Sequence, residues 1–372
     1  MTEPMGKHKS RQVFLDALRV AATMAVVMMH TISGVLNGNY DFTGYERRVR
    51  AFRAMIDATA WSVPVFLMIS GYLFLRTEKQ VTWKDAIFKY CRRIALALVI
   101  FGFPFALLEL VGTARSFSMD MIPKAVVAVA TMRGWAHMWY LYLILFLYAV
   151  TPLIKWCLGK VPRWVTYALL GILALGASVA PFFEVLFGAS RMIALPSTAI
   201  YLFYYLCGYA FTLREKTAVK AEGWMAFIGF LVMMGAQMGS RMLGVTMDQA
   251  YGYLPTVLSA LLLFDAGWAW EMGAARGEVP DGAVSEGAVS GSGTQRQGGR
   301  FLPVVLWLSP LCFGIYLIHP VFLNLFYKFL HLSIMNFRFY IGVPLFFMIA
   351  FCGSVIGSFL MRLIPPLRKY VL

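Results

Sequence analysis

Long runs of apolar residues, separated by short polar gaps, follow one another along the whole chain. Each run is close to the roughly 20 apolar residues that a helix needs to cross a bilayer. The pattern therefore predicts an all-α membrane protein, a bundle of about ten transmembrane helices. The predicted segments are Val13–Leu36, Ala54–Leu75, Ile94–Gly112, Met138–Cys157, Trp164–Phe183, Pro196–Leu213, Trp224–Leu243, Tyr253–Trp270, Pro303–Leu325 and Ile341–Met361.

Lysine and arginine are unevenly shared between the two sides of this predicted bundle. With the N-terminus inside, the cytoplasmic segments hold 21 of them and the external segments hold 11. Because cytoplasmic loops of membrane proteins collect positive charge, we expect both termini in the cytoplasm. One external loop opposes the bias, with Arg47, Arg48, Arg50 and Arg53 between the first two helices. It is either an interfacial amphipathic turn that binds lipid phosphates or a basic lip over an anionic acceptor substrate.

The composition supports a membrane protein and argues against a nucleic-acid partner. Hydrophobic residues make up 60% of the 372 residues and charged residues 14%, whereas charged residues run near ~25% in soluble domains. The formal charge is +15, but no basic stripe is interleaved with exposed aromatic residues. Nothing resembles a Cys-x-x-Cys motif or a zinc spacing, so we expect no metal site and no permanently bound cofactor. Membrane lipids are the expected surroundings.

Residues 271–300 differ abruptly from the rest of the chain. They are rich in Gly, Ala, Ser and Val and contain the repeat GAVSEGAVSGSG. Such a composition predicts a flexible cytoplasmic linker, here between the eighth and ninth helices. The other gaps are short, so we expect residues 1–372 to form a single membrane domain.

The first predicted helix carries Asp16, Arg19 and His30 in a setting where charge is expensive. At ~100° and ~1.5 Å per residue, Arg19 and His30 lie within ~20° of one face and ~16 Å apart. Asp16 precedes Arg19 by three positions, close enough to pair with its guanidinium. Arg19 either reaches back to cytoplasmic headgroups or serves a site. His30 is either a buried packing residue or a base, because its ordinary pKa of ~6.5 suits proton transfer.

A basic stretch opens the third helix and contains Lys89-x-x-Arg92-Arg93. Ordinary positive-inside anchoring would explain it. The functional interpretation is a clamp for the phosphates of a cytoplasmic acyl donor, since arginine offers forked hydrogen bonds to phosphate oxygens.

Other polar and aromatic residues near helix ends are candidate substrate contacts. Glu109 is either a member of the site or an interfacial group, and Trp139 suits an interfacial aromatic belt. His319 precedes a helix-kinking proline and is either a packing residue or a substrate contact. The possible substrate contacts are Glu109, His137, Trp139, Tyr316 and His319.

These stretches together resemble the integral-membrane acyltransferase-3 family. The matching pieces are FLDALR followed by His30 in the first helix, VPVFLMISGYLF in the second, and the basic segment that opens the third. HMWYLYLILFLYAVTPLI in the fourth helix and the late FGIYLIHP complete the set. They occur in order from residue 14 to beyond residue 320, so the resemblance covers nearly the whole chain.

The resemblance implies a membrane O-acyltransferase. Members of the family move an acyl group, most often acetyl from cytoplasmic acetyl-CoA, to a hydroxyl of a cell-envelope glycan or a lipid-linked saccharide. The family's Arg-x-x-Arg donor motif is matched here only as Lys89-x-x-Arg92, with Arg93 adjacent. The expected location is the bacterial cytoplasmic (inner) membrane, with several membrane passes.

The same resemblance assigns catalytic roles to the first helix. The family's pattern of arginine, ten residues and histidine falls on Arg19 and His30, and Asp16 would hold Arg19. His30 would act as general base on the acceptor hydroxyl or would carry the acyl group briefly, and both roles stay open at this point.

Two other classes of protein are compatible with the composition. A carrier or flippase for a polyprenyl-linked sugar or another anionic solute also needs many helices with central charge and proline kinks. Against it, the chain has no evident repeated half-structure, and its charged residues concentrate in the first three helices. A membrane scaffold without chemistry explains neither Arg19 nor His30.

Overall fold

The computed structural model describes residues 11–36, 42–187, 195–196, 198–215, 220–244, 251–276 and 301–372. These residues form helices joined by turns, and none of them forms a β-strand. The predicted all-α class is therefore confirmed. The helices are α1 (Val13–Leu36), α2 (Glu46–Leu75), α3 (Trp83–Ala114), α4 (Met121–Ala130), α5 (Ala136–Lys160), α6 (Arg163–Glu184), α7 (Ala199–Leu213), α8 (Lys220–Met242), α9 (Leu254–Arg276), α10 (Leu302–Lys328), α11 (Phe339–Leu363) and α12 (Pro365–Tyr370).

Eight of the described helices, α1, α2, α3, α5, α6, α8, α10 and α11, are long and apolar enough to cross a membrane. The chain is thus a multi-pass membrane protein. Helix α7 has only 15 residues, and α9 carries Asp265, Glu271 and Arg276 along its length. The count of about ten spans and the cytoplasmic placement of both termini stay predictions.

Helix α1 lies inside the bundle, packed against α2, α9, α10 and α11. Its bounds are those that its hydrophobic run predicts. Apolar side chains along it, such as Leu15, Val26 and Ile32, are buried. Its polar residues are therefore presented to neighbouring helices rather than to lipid alone.

Helices α2 and α7 approach each other closely at Gly71 and Gly208. A Cβ atom added to Gly71 would lie 1.8 Å from the carbonyl oxygen of Tyr205, and one added to Gly208 would lie 2.0 Å from that of Met68. Only glycine permits backbones to pack this closely. This contact fixes the end of α2 that leads into the candidate site.

The arginines expected on an external loop lie instead in α2. The helix begins at Glu46, eight residues before the predicted start, and bends at Ala60 and Trp61. Its first part is amphipathic, because Phe52 and Ala54 are buried while Arg47 is exposed. Because the polar face lowers the mean hydropathy over a window of residues, hydropathy alone does not reveal such a helix.

Among these arginines, Arg48 is held firmly within the protein. Two guanidinium hydrogen bonds of Arg48 reach the carbonyl oxygens of Ile334 and Phe337, each at 2.6 Å. They tie the start of α2 to the segment before α11. Lipid binding and acceptor binding by this arginine group stay predictions.

The predicted linker is partly helical. Helix α9 continues to Arg276, six residues into the range 271–300, and residues 277–300 lie outside the described part of the chain. The carboxylate of Glu271 accepts the backbone N–H of Phe14 at 2.6 Å. Since the first N–H groups of a helix lack intrahelical partners, Glu271 caps α1 and fixes its N-terminal end.

Candidate functional site

A cavity of about 750 Å³ lies beside the N-terminal half of α1. It is lined by residues from the start of α1 and from the ends of α2 and α11, the side that the charge bias predicts to be cytoplasmic. Five arginines line the cavity, whereas Asp16 is the one carboxylate side chain among its described lining residues. The cavity is therefore strongly positive. The arginines are Arg11, Arg19, Arg76, Arg93 and Arg362.

Asp16 is the centre of a buried polar network in this cavity. Its side chain is only 5% exposed. It accepts hydrogen bonds from Arg19 Nη1 at 2.9 Å, from Arg11 Nε at 2.5 Å and from Ser309 Oγ at 2.6 Å. The pairing of Arg19 with Asp16 is the one that their spacing predicts. Arg11 and Ser309 were missed, because one precedes the helix and the other comes from a distant turn of α10.

Only part of the basic stretch at the start of α3 lies at the cavity. Arg93 lines the cavity, and its Nε donates to the carbonyl oxygen of Val371 at 2.7 Å. Lys89 and Arg92 are exposed and lie outside the described cavity lining. Residues 86–91 are π-helical, and the wider turns of a π-helix take positions three apart off a common face. The structure thus brings only Arg93 of the predicted clamp to the cavity.

Aromatic side chains line the cavity beyond the arginines. The ring of Phe74 lies 4.6 Å from the rings of both Tyr90 and Tyr148. Farther in, the rings of Tyr140 and Tyr316 lie 5.8 Å apart, and both line the cavity. The cavity therefore changes along its length from charged to aromatic.

Three histidines from α1, α5 and α10 meet beyond the aromatic end. The ring centroid of His30 lies 5.1 Å from that of His319 and 6.3 Å from that of His137, and the last two lie 5.5 Å apart. His137 and His319 are buried, and His30 is half-buried. Each was a candidate from the sequence, but nothing in the sequence places them together, because they belong to three helices far apart in the chain.

The histidine cluster, His30, His137 and His319, is separated from the cavity by Tyr316. None of the three histidines is among the described lining residues. The ring of Tyr316 lies 5.7 Å from that of His137, and the Tyr316 hydroxyl donates to the backbone carbonyl of His137. Tyr316 is therefore the lining residue through which the cavity meets His137 and His319 of the cluster.

Glu109 and Trp139 lie apart from the cavity. The carboxylate of Glu109 is 42% exposed and accepts hydrogen bonds from Trp135 Nε1 at 2.9 Å and Lys328 Nζ at 2.6 Å. The ring of Trp139 lies 5.5 Å from that of Tyr201 and 5.7 Å from that of Tyr251. Both residues belong to the far end of the bundle from the arginines.

Comparison with protein families gives a match over nearly the whole chain. A family model described as an acyltransferase domain, Acyl_transf_3, matches residues 12–363. Comparison with curated proteins and with solved structures finds no match.

Proposed function

The chain belongs to the acyltransferase-3 family, and on that basis we propose that it is a membrane O-acyltransferase. It would move an acyl group, acetyl in the simplest case, from cytoplasmic acyl-CoA to a hydroxyl of a cell-envelope glycan or glycolipid, in a bacterial inner membrane. The observation that carries this proposal is the cavity lined by five arginines, with the histidine cluster beyond one of its lining residues, Tyr316. An anionic donor and a base for a hydroxyl need these two chemistries at the two ends of one path.

The donor would bind at the arginine end. Coenzyme A is rich in phosphate, and guanidinium groups bind phosphate oxygens with forked, charge-assisted hydrogen bonds. Arg76 directly follows α2 and Arg93 lies in α3, so these two lining residues can contact separate phosphates. About 750 Å³ is within the range of ~300–1,000 Å³ usual for small-molecule sites.

Arg19 belongs to the donor end rather than to the reacting bond. Helix geometry puts it ~16 Å from His30 along α1. It is held by Asp16 at 2.9 Å, with its guanidinium facing the cavity. Its proposed role is therefore to bind and orient donor phosphate, while groups near His30 meet the thioester.

The transfer step would take place at His30. Its unprotonated nitrogen takes the proton of the acceptor hydroxyl while that oxygen attacks the thioester carbonyl. A new carbon–oxygen bond forms, the carbon–sulfur bond breaks, and the departing thiolate receives the proton back from His30. Donor and acceptor react directly, so this scheme needs no acyl-histidine intermediate.

The thioester has to pass Tyr140 and Tyr316 to reach His30. The Tyr316 side chain would turn aside during each reaction cycle, breaking its hydrogen bond to the carbonyl of His137. Burial of the aromatic layer keeps water from the reacting thioester until an acceptor is in place.

The proposal is tested with membranes that contain the protein, labelled acetyl-CoA and the envelope glycan fraction. The wild type should transfer label to glycan, and His30→Ala should lower the rate by ~10²–10⁴-fold, the usual contribution of a general base. His331→Asn is the matched control, because His331 is an exposed histidine outside the cluster. Asparagine suits its positive φ of 52°.

Equal amounts of each variant in the membrane are established first. No label on glycan with the wild type, together with flux of an intact saccharide, would instead assign a transporter. Wild-type rates in His30→Ala would remove the proposed base.

A further inference from the structure

We infer that His319 is a positioning residue that holds the ring of His30 in one tautomer during acyl transfer. The inference rests on the proposed function, because it gives His319 a role only through the base that His30 provides. It is carried by the hydrogen bonds of the His319 ring and by its distance from His30.

The tautomer of His319 follows from its contacts with its own helix. Nδ1 of His319 lies 2.8 Å from the carbonyl oxygen of Tyr316 and 3.3 Å from that of Ile315. A carbonyl oxygen accepts and never donates, so Nδ1 carries a proton. The ring is fully buried and pairs with no carboxylate among the described residues. A buried charge without such a partner is costly, so the ring is neutral.

A neutral ring protonated at Nδ1 has a bare acceptor at Nε2. Within the described part of the chain this buried atom has no hydrogen-bond partner. A buried acceptor left unpaired costs ~1–3 kcal/mol, so a donor is expected beside it. The nearest ring is that of His30, with a centroid separation of 5.1 Å. The two rings form no hydrogen bond in this structure, and a turn of the His30 side chain would bring one of its nitrogens to Nε2 of His319.

His30 supplies the missing donor when one of its nitrogens carries a proton toward His319. Its other nitrogen is then bare and free to take the proton of an acceptor hydroxyl. A histidine whose second nitrogen is fixed by a hydrogen bond is held in one orientation and one tautomer. Among the described residues, no group of three His, Cys, Asp or Glu has the geometry to hold a metal ion.

His137 offers a comparison within the same cluster. Its Nε2 is also buried without a partner among the described residues, but its ring lies 6.3 Å from that of His30. The shorter separation assigns the contact to His319.

The test compares two replacements that divide the functions of the ring. His319→Gln keeps an acceptor oxygen near the position of Nε2 and loses the donor at Nδ1. His319→Asn keeps a donor near Nδ1 and loses the acceptor at Nε2. In acetyl transfer by detergent-purified protein, the kcat of His319→Gln should be about tenfold higher than that of His319→Asn. Removing an outer hydrogen-bond partner costs ~10–100-fold in activity.

Two further readouts separate positioning from a structural role. The KM for acetyl-CoA should be the same in both variants, because the arginine end is untouched. Thermal stability should follow the opposite order, with His319→Asn at least as stable as His319→Gln, since asparagine keeps the bonds to the helix carbonyls. A purely structural His319 would make activity follow stability.

Equal rates in the two variants, or a faster His319→Asn, would overturn the inference. The inference would also be overturned if the kcat of His137→Gln exceeded that of His137→Asn while the two His319 variants showed no such difference. These results are distinct from a failure of the proposed function, which would appear as no transfer by the wild type or as full transfer by His30→Ala.

Discussion

The two ends of α1 present opposite kinds of polar environment. Around Asp16 and Arg19, charge meets opposite charge, beside an open cavity with four further arginines. Around His30, the neighbours are two other histidines and no ion pair of the described residues lies within the cluster. The charged end suits binding of an anion, and the uncharged end suits movement of a proton.

This division has an electrostatic reason. Fixed positive charge strengthens the binding of phosphate, and partial exposure to water lowers the free-energy cost of that charge in the membrane. A general base needs a free lone pair, which a nearby guanidinium would occupy by donating a hydrogen bond to it. Placing the two functions at different depths of one helix keeps the arginines from interfering with the base.

Within this comparison, the largest expected effect on stability comes from breaking the ion network of the charged end. Asp16→Asn leaves Arg11 and Arg19 without their carboxylate. A fully buried pair loses ~3–5 kcal/mol when one partner is removed. Here Arg11 is 51% exposed and Arg19 is 30% exposed, so we expect a loss of about 2 kcal/mol in the free energy of unfolding after allowing for solvent screening. Thermal unfolding in detergent measures it.

An exposed ion pair provides the control for that measurement. Asp120 and Lys124 lie 2.5 Å apart, with side chains 57% and 64% exposed. Asp120→Asn removes the same charge from a solvated site, where ion pairs contribute little. Its melting temperature should equal that of the wild type. An equal loss of stability in the two variants would mean that Asp16 is not a buried network centre.

A second comparison separates the cavity arginines from the exposed basic residues of α3. Arg93→Gln should raise the KM for acetyl-CoA about tenfold, because one charge-assisted hydrogen bond contributes ~1.5–3 kcal/mol. Arg76→Gln should do the same, since Arg76 also lines the cavity. Lys89→Gln should leave KM within about twofold, because Lys89 is exposed outside the described lining.

The three variants are compared at two salt concentrations. The KM of the wild type should rise with salt, and Arg93→Gln should weaken that dependence. A KM raised equally by Lys89→Gln and Arg93→Gln would restore the Lys89-x-x-Arg92 pattern as the donor clamp.

Local sequence patterns were sufficient for what depends on neighbours along a helix. The hydrophobic run predicted both ends of α1, and a spacing of three predicted the contact between Asp16 and Arg19. The hydropathy pattern missed the first part of α2, because the arginines on its exposed face lower the mean hydropathy of this amphipathic helix. Of the predicted clamp, the structure places Arg93 on the cavity and leaves Lys89 and Arg92 exposed outside its described lining, so the clamp itself stays a prediction.

The candidate site depends more on contacts that no local pattern contains. Asp16 meets Ser309, and His30 meets His319, only because α1 and α10 pack side by side. Periodicity shows which face of a helix is polar, but it does not show which helix that face will meet. The sequence therefore indicates each histidine separately, and only the packing of the helices brings the three together.

The smallest expected effect tests the aromatic layer between the two ends. Tyr316→Phe removes the hydrogen bond to the carbonyl of His137, which should lower stability by about 1 kcal/mol. Because the proposed cycle breaks that bond, kcat should rise by about two- to fivefold.

Tyr204→Phe is the matched control. The Tyr204 hydroxyl donates to the carbonyl of Tyr251 at 2.7 Å, and Tyr204 lies outside the described cavity lining. It should lose similar stability with kcat unchanged, as single-turnover transfer and thermal unfolding of both proteins would measure. A lower kcat in Tyr316→Phe alone would mean that this hydroxyl takes part in the reaction, and the boundary between the two ends would then belong to the chemistry.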